Sequence, residues 1–215
     1  KGKGHTWDAF YSTDRMDNNE VLNRYSPEKF TFPSPYNYHA IAGMNIEHSF
    51  PKSWWGGTQN DAYKDIHHLY PSSSKDNSQK GNFPMATVTN MKHDSGAGYD
   101  KVGSTTIEGR TQNCWEPGDT WKGDFSRSYM YMATTYSNLK WVNVGLITNT
   151  NGEYPTLKEW ASTLYRQWSK TDKVSEIETK RNDAVYAIQG NRNPFIDYPF
   201  ISRSEERRVG KECLR

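Results

Sequence analysis

The sequence predicts an α+β fold, and three observations carry that prediction. Short apolar stretches bounded by prolines and glycines crowd the first half of the chain. Apolar residues at helical spacing dominate the second half. No run approaches the roughly 20 apolar residues of a membrane helix, so no membrane partner is expected. The chain has 215 residues, enough for one domain with a real core. Residues 1–202 are assigned to that domain and 203–215 to a tail foreign to it.

Taken in order, Trp7 to Phe10 and Glu20 to Tyr25 are candidate short helices. Phe32 to Tyr38 is a loop, because Pro33 and Pro35 fix φ and remove donors. Met44 to His48 reads as a strand ended by Pro51, and Asp65 to Tyr70 as a second strand broken by Pro71. Ser72 to Ser74 offer caps for a helix over about Ser73 to Lys80. The local order is therefore strand, loop, strand, helix. Met85 to Val88 and Thr105 to Ile107 are strand-like, with Gly96, Gly98, Gly103 and Gly109 marking turns. Asp124 can cap a helix running to about Asn138. Leu157, Trp160, Leu164 and Trp168 form one helical face. Ser175 and Glu178 match a capping box, Ile177, Ala184, Val185 and Ile188 form an apolar stripe, and Gly190 suits the end of that helix. Asn191 to Phe200 closes the domain as an ordered loop.

Only 33% of the residues are hydrophobic, with a mean hydropathy of −0.99. The formal net charge is +2, and residues 203–215 supply all of it: without them 22 basic residues face 22 acidic ones. Global charge therefore does not argue for a nucleic-acid partner, and any basic groove must be local. The 14 tyrosines and 8 tryptophans can fill a core or stack on bases. Two cysteines make no disulfide framework. Lys1 opens the chain abruptly, and an upstream signal peptide is expected.

His48, His67, His68 and His93 are the histidines that bear on chemistry. Phosphodiester hydrolysis needs an activated water, a stabilised phosphate and a protonated leaving oxygen. A neutral imidazole, His48, can take the water proton near neutral pH. A hard divalent cation can neutralise the phosphate, and Mg²⁺ needs few protein ligands because it keeps several waters. Glu47 and Asn77 could be its pair of oxygen donors. Adjacent strand residues point to opposite faces, so Glu47 and His48 diverge unless the strand end bends. By the same rule only one of His67 and His68 faces the site. Two other readings stand beside this one. A zinc hydrolase would use three of the four histidines. A non-catalytic module binding polysaccharide or nucleic acid would use exposed Trp54 and Trp55.

The segments Asn45 to Trp55, Asp65 to Pro71 and Asn77 to Pro84 resemble the bacterial endonuclease I family. So do Glu116-Pro117, Lys122 to Arg127 with Tyr131 to Ala133, and Gln189 to Asp197. The resemblance spans about Trp7 to Pro199. It implies a ββα-metal (His-Me finger) core embedded among peripheral helices, and a secreted or periplasmic location; a monomer is expected, though the sequence does not fix the oligomeric state. The activity implied is a Mg²⁺-dependent endonuclease with little sequence preference, cutting DNA and also RNA to leave a 5′-phosphate; Mn²⁺ or Ca²⁺ are alternative ions. His48 matches the general base, and Glu47 and Asn77 match the metal ligands. His68 and Asn82 are placed behind them as support. Where the family has an arginine after the metal asparagine, this chain has Lys80, which lacks the bidentate fork. Lys52, Lys80 and Arg127 are the candidate phosphate contacts.

The string Arg203 to Cys213 resembles one reading frame of a sequencing adapter and has no apolar periodicity. Deleting everything after Ser202 is expected to leave melting temperature and activity unchanged. A truncated protein that fails to fold would overturn this assignment.

Overall fold

The computed structural model describes residues 6–37, 39–142, 147–148 and 156–201. The tail assigned to 203–215 lies outside the described residues. Two small antiparallel sheets are set among helices, an α+β arrangement. Helix α1 (Thr6–Thr13) buries Trp7, Ala9 and Phe10 and lies against the later helix α5 (Glu176–Gln189). No helix forms over Glu20 to Tyr25. Val21 and Tyr25 are buried there, but the segment makes isolated bridges, Arg15 with Val21 and Glu20 with Thr31. The Asn23 side chain accepts the Tyr25 amide instead. Asparagine competes with helical backbone bonding in this way.

Strand β1 (Met44–His48) pairs with β2 (Leu69–Ser73), with Glu47 opposite Tyr70 and His48 opposite Leu69. The expected second strand begins late. Ile66–His68 is a turn of 3₁₀ helix, because the Asp65 carboxylate accepts the His67 amide and caps it. Helix α2 (Ser74–Lys80) follows at once, capped by the Ser73 hydroxyl. Its last turn ends at Gly81, whose φ of 52° lets the amide return to the Asn77 carbonyl. The strand, loop, strand, helix order is therefore present, with three 3₁₀ turns, Lys52–Trp55, Ala62–Lys64 and Ile66–His68, inside the loop.

The second sheet has β3 (Asn90–Asp94), β4 (Lys101–Ile107) and β5 (Arg110–Glu116), in that order. Glu108 and Gly109, both at positive φ, form the two-residue turn between β4 and β5. Met85 to Val88 is not a strand. Pro84 has no amide to donate, and the segment keeps one bridge, Met85 with Trp115.

Helix α3 (Lys122–Thr135) is buried from Gly123 to Ala133 and packs on α4 (Glu159–Thr171). Its cap position is Trp121 rather than Asp124. A side chain on Gly123 would meet the Asp172 carbonyl at 2.1 Å, so only glycine admits this contact. Phe50, Trp54, Trp115, Phe125, Tyr129 and Tyr165 belong to the main core around α3. Trp54 and Trp55 are buried, at 3% and 5% exposure, which removes the stacking surface that a Trp-based binding module needs.

Helix α5 is capped by Ser175, whose hydroxyl accepts the Glu178 amide, and ends at Gly190 in the left-handed region. Its inward face differs from the expected stripe. Ile177 is 38% exposed, while Glu178, Arg181, Asn182 and Val185 are buried. The charged members of that face bind other buried charges. Arg127 donates to both Glu178 oxygens at 2.6 Å, and to the Ser169 and Asp172 carbonyls. Arg127 is fully buried, so the phosphate contact expected of it is replaced by a structural role. Short α6 (Pro194–Asp197) is capped by Asn193 within the closing loop.

Removing one partner of a buried pair leaves the other charge uncompensated, typically at a cost of about 3–5 kcal/mol. Arg127→Ala is expected to lose stability on that scale in urea unfolding. A loss under about 1 kcal/mol would show that the pair does not hold α3 to α5.

Candidate active site

His48 ends β1, half-buried, and its orientation is set by backbone. Its Nε2–H donates to the Tyr63 carbonyl at 3.0 Å. That bond assigns the proton to Nε2 and leaves the Nδ1 lone pair free. Among the described residues Nδ1 has no hydrogen-bond partner. Burial, His68, Lys52 and Lys80 push the His48 pKa down to about 3, against the pull of the Tyr63 carbonyl. The ring is therefore neutral at neutral pH.

A cavity of about 790 Å³ opens beside it, lined by His48, Lys52, Tyr63, Lys64, Tyr136 and Gln189 among others. Lys52 is exposed, and its Nζ lies 5.2 Å from the Tyr63 ring centroid. It is thus the expected phosphate contact that reaches solvent next to His48.

Glu47 faces the other way. It is 5% exposed and takes the Lys80 ammonium at 2.6 Å on Oε1. Burial raises its pKa, and Lys80 opposes that rise. Lys80 is itself fully buried, so it cannot clamp a substrate phosphate as expected. The cavity is lined by His48 and Lys52 but not by Glu47 or Asn77. Glu47 and His48 nonetheless share one locus, because both feel the charges of Lys52 and Lys80.

Asn77 is half-buried on α2, three residues before Lys80. Helical residues three apart share a face, so the face that brings Lys80 to Glu47 also carries Asn77. Among the described residues neither Glu47 Oε2 nor the Asn77 side chain has a hydrogen-bond partner. Two free hard oxygen donors fit Mg²⁺, which fills its remaining positions with water. Among the described residues no three His, Cys, Asp or Glu side chains cluster as a metal site. Asn82 is exposed and makes no side-chain hydrogen bond to this site among the described residues.

The two neighbouring histidines have different surroundings. His68 Nε2–H donates to the Ala62 carbonyl at 2.7 Å, and its ring lies 5.4 Å from that of His48. His67 Nε2–H donates to the Asn191 carbonyl at 3.1 Å, with its ring 4.6 Å from Tyr131. His93 lies on β3 beside Gln79 and Ser95.

Sequence reasoning missed a second tier of residues. Asp65 accepts hydrogen bonds from the Tyr131 and Tyr136 hydroxyls at 2.6 and 2.7 Å, and from Gln189 at 2.9 Å. Asn191 donates to the Tyr131 hydroxyl at 2.6 Å. Gln189 and Asn191 fall in a motif noted above, whereas nothing local marks Tyr63 as the partner of His48.

The endonuclease I family model matches residues 2–200. The chain belongs to the endonuclease I family. It is a nuclease, and it is similar to proteins named as extracellular nucleases. The extracellular ribonuclease of Bacillus amyloliquefaciens is 32% identical over 209 residues, 91% of this chain and 68% of that protein. The extracellular ribonuclease of Bacillus subtilis (strain 168) is 31% identical, again over 91% of this chain and 68% of its own length. An extracellular deoxyribonuclease of Aeromonas hydrophila is 22% identical over 74% of the chain and 64% of its own length.

Burial pushes the His67 and His68 pKa values down to about 4, against the pull of Asp65. The unfolded chain then binds protons that the folded one refuses. Stability is complete above the ordinary value of 6.5 and is lost as pH falls from there toward 4, by roughly 3 kcal/mol per ring. Asp65, held below its ordinary value, adds a further loss only at lower pH. Melting temperature is expected to drop steadily between pH 7 and 4.5, and a flat profile would overturn the assignment of neutral rings.

Proposed function

We propose that this nuclease hydrolyses phosphodiester bonds in DNA and RNA with little sequence preference, using His48 as general base. The observation that carries the reading is the Nε2–H bond to the Tyr63 carbonyl. It keeps Nδ1 unprotonated and fixes the ring at the edge of the cavity. A water at Nδ1 gives up its proton as it attacks phosphorus. Lys52, exposed on the same cavity, neutralises a phosphate oxygen there. Glu47 and Asn77 would hold a Mg²⁺ ion. When bound, that ion supplies positive charge to the phosphate and a proton source for the leaving 3′ oxygen. Cleavage on that side leaves a 5′-phosphate.

Breadth toward both nucleic acids is supported by relatives named as ribonucleases and as deoxyribonucleases. Export from the cell is part of the same reading, since those relatives are named extracellular.

His48→Ala is expected to lower the cleavage rate by about 10²–10⁴ while leaving nucleic-acid binding nearly intact. Plasmid nicking and RNA digestion, each with Mg²⁺ and with EDTA, provide the measurement. A variant that keeps half its activity would remove His48 from the mechanism. Cutting that survives EDTA would remove the cation.

A further inference from the structure

Lys80 stands out because the mechanism above does not use it. Its ammonium is fully buried, 2.6 Å from Glu47 Oε1 and 5.1 Å from the Trp115 ring centroid. Two other carboxylates lie nearby. Asp76 accepts from the Ser26 and Ser73 hydroxyls, and Asp100 accepts from the Trp115 Nε1–H through Oδ2, while its buried Oδ1 has no hydrogen-bond partner among the described residues. Among the described residues Glu47 is the one carboxylate in contact with Nζ.

Two consequences follow for the oxygen donors. Lys80 fixes the rotation of the Glu47 carboxylate, leaving Oε2 as the oxygen available to a ligand. It also cancels the charge of Glu47, and Asn77 contributes none. A divalent cation is therefore offered a dipole and an amide, next to an ammonium that repels it. Phosphate is the natural source of the missing negative charge.

We propose that Lys80 is a positioning residue that makes cation binding conditional on substrate. The free enzyme holds the ion weakly, and the scissile phosphate completes the site. This rests on the assignment of Glu47 and Asn77 as ligands. By linkage, the ion and the nucleic acid strengthen each other's binding by the same factor.

The test is Mn²⁺ binding, followed by electron paramagnetic resonance on purified protein without turnover. Lys80→Met removes the charge and keeps the length of the side chain. It is expected to raise the Mn²⁺ affinity of the free enzyme about tenfold or more, while Lys80→Arg stays near wild type. Unchanged or weaker binding by folded Lys80→Met would overturn the proposal. Glu47→Gln separates the two readings. If it binds Mn²⁺ as wild type does, the ligand assignment has failed; if it loses binding while Lys80→Met shows no gain, only the role of Lys80 has failed. Should Lys80→Met not fold, His48→Ala with a short uncut DNA duplex serves instead. The duplex is expected to raise Mn²⁺ affinity at least tenfold, after correction for binding to duplex alone. Equal affinity with and without it would overturn the proposal.

Discussion

Arg181 reaches from α5 to the turn that precedes β2, donating to the Ile66 carbonyl at 3.0 Å and the Leu69 carbonyl at 2.7 Å. Those two carbonyls bracket His67 and His68. The same guanidinium donates to Asp14, which also takes Arg24 at 2.6 Å, and it lies over the Tyr70 ring. The Ile66 carbonyl already accepts the Leu69 amide that closes the 3₁₀ turn, and Arg181 adds a charged donor there and at Leu69, the first residue of β2. With the turn fixed, Leu69 pairs with His48, the His68 ring stands behind His48, and β1 ends where the cavity begins. The placement of His48 thus depends on a buried charge network remote from the cavity's exposed lysine.

The same dependence explains which parts of the fold were legible in the sequence. Strand β1, helix α2 and the Ser175 cap were legible because their causes are local: a proline stop, a serine cap, a capping box. Strands β3 and β5 were not, since their residues are largely polar and pair only because β4 lies between them. The 66–68 turn was read as strand because its cap, Asp65, is also the hub for Tyr131, Tyr136 and Gln189. The inward face of α5 was read as apolar, but it carries Glu178 and Arg181, whose partners come from distant segments.

Much of the candidate site was legible for a different reason. Glu47, His48 and Asn77 sit in short motifs whose residue types suit one chemistry. The fate of each cation was not legible. Lys52, Lys80 and Arg127 carry the same charge, yet only Lys52 is exposed. What separates them is a carboxylate 33 residues away from Lys80 and another 51 residues away from Arg127. No window on the sequence contains both members of either pair. The strand rule did foresee that Glu47 and His48 part company, and the structure turns that divergence into a division between the α2 side and the cavity side.

The closing segment has a consequence for the order in which the molecule becomes complete. Gln189 and Asn191 tie Asp65 and Tyr131 together, and the Asn191 carbonyl holds His67. Arg181, which secures the turn around both histidines, comes from the same late stretch. A ribosome therefore makes His48, Glu47 and Asn77 long before it makes the residues that brace them. While the chain is still being made, it carries the candidate site residues without the scaffold that aligns them. For a nuclease, the time taken to synthesise the chain as far as Asn191 is itself a delay before this region is braced.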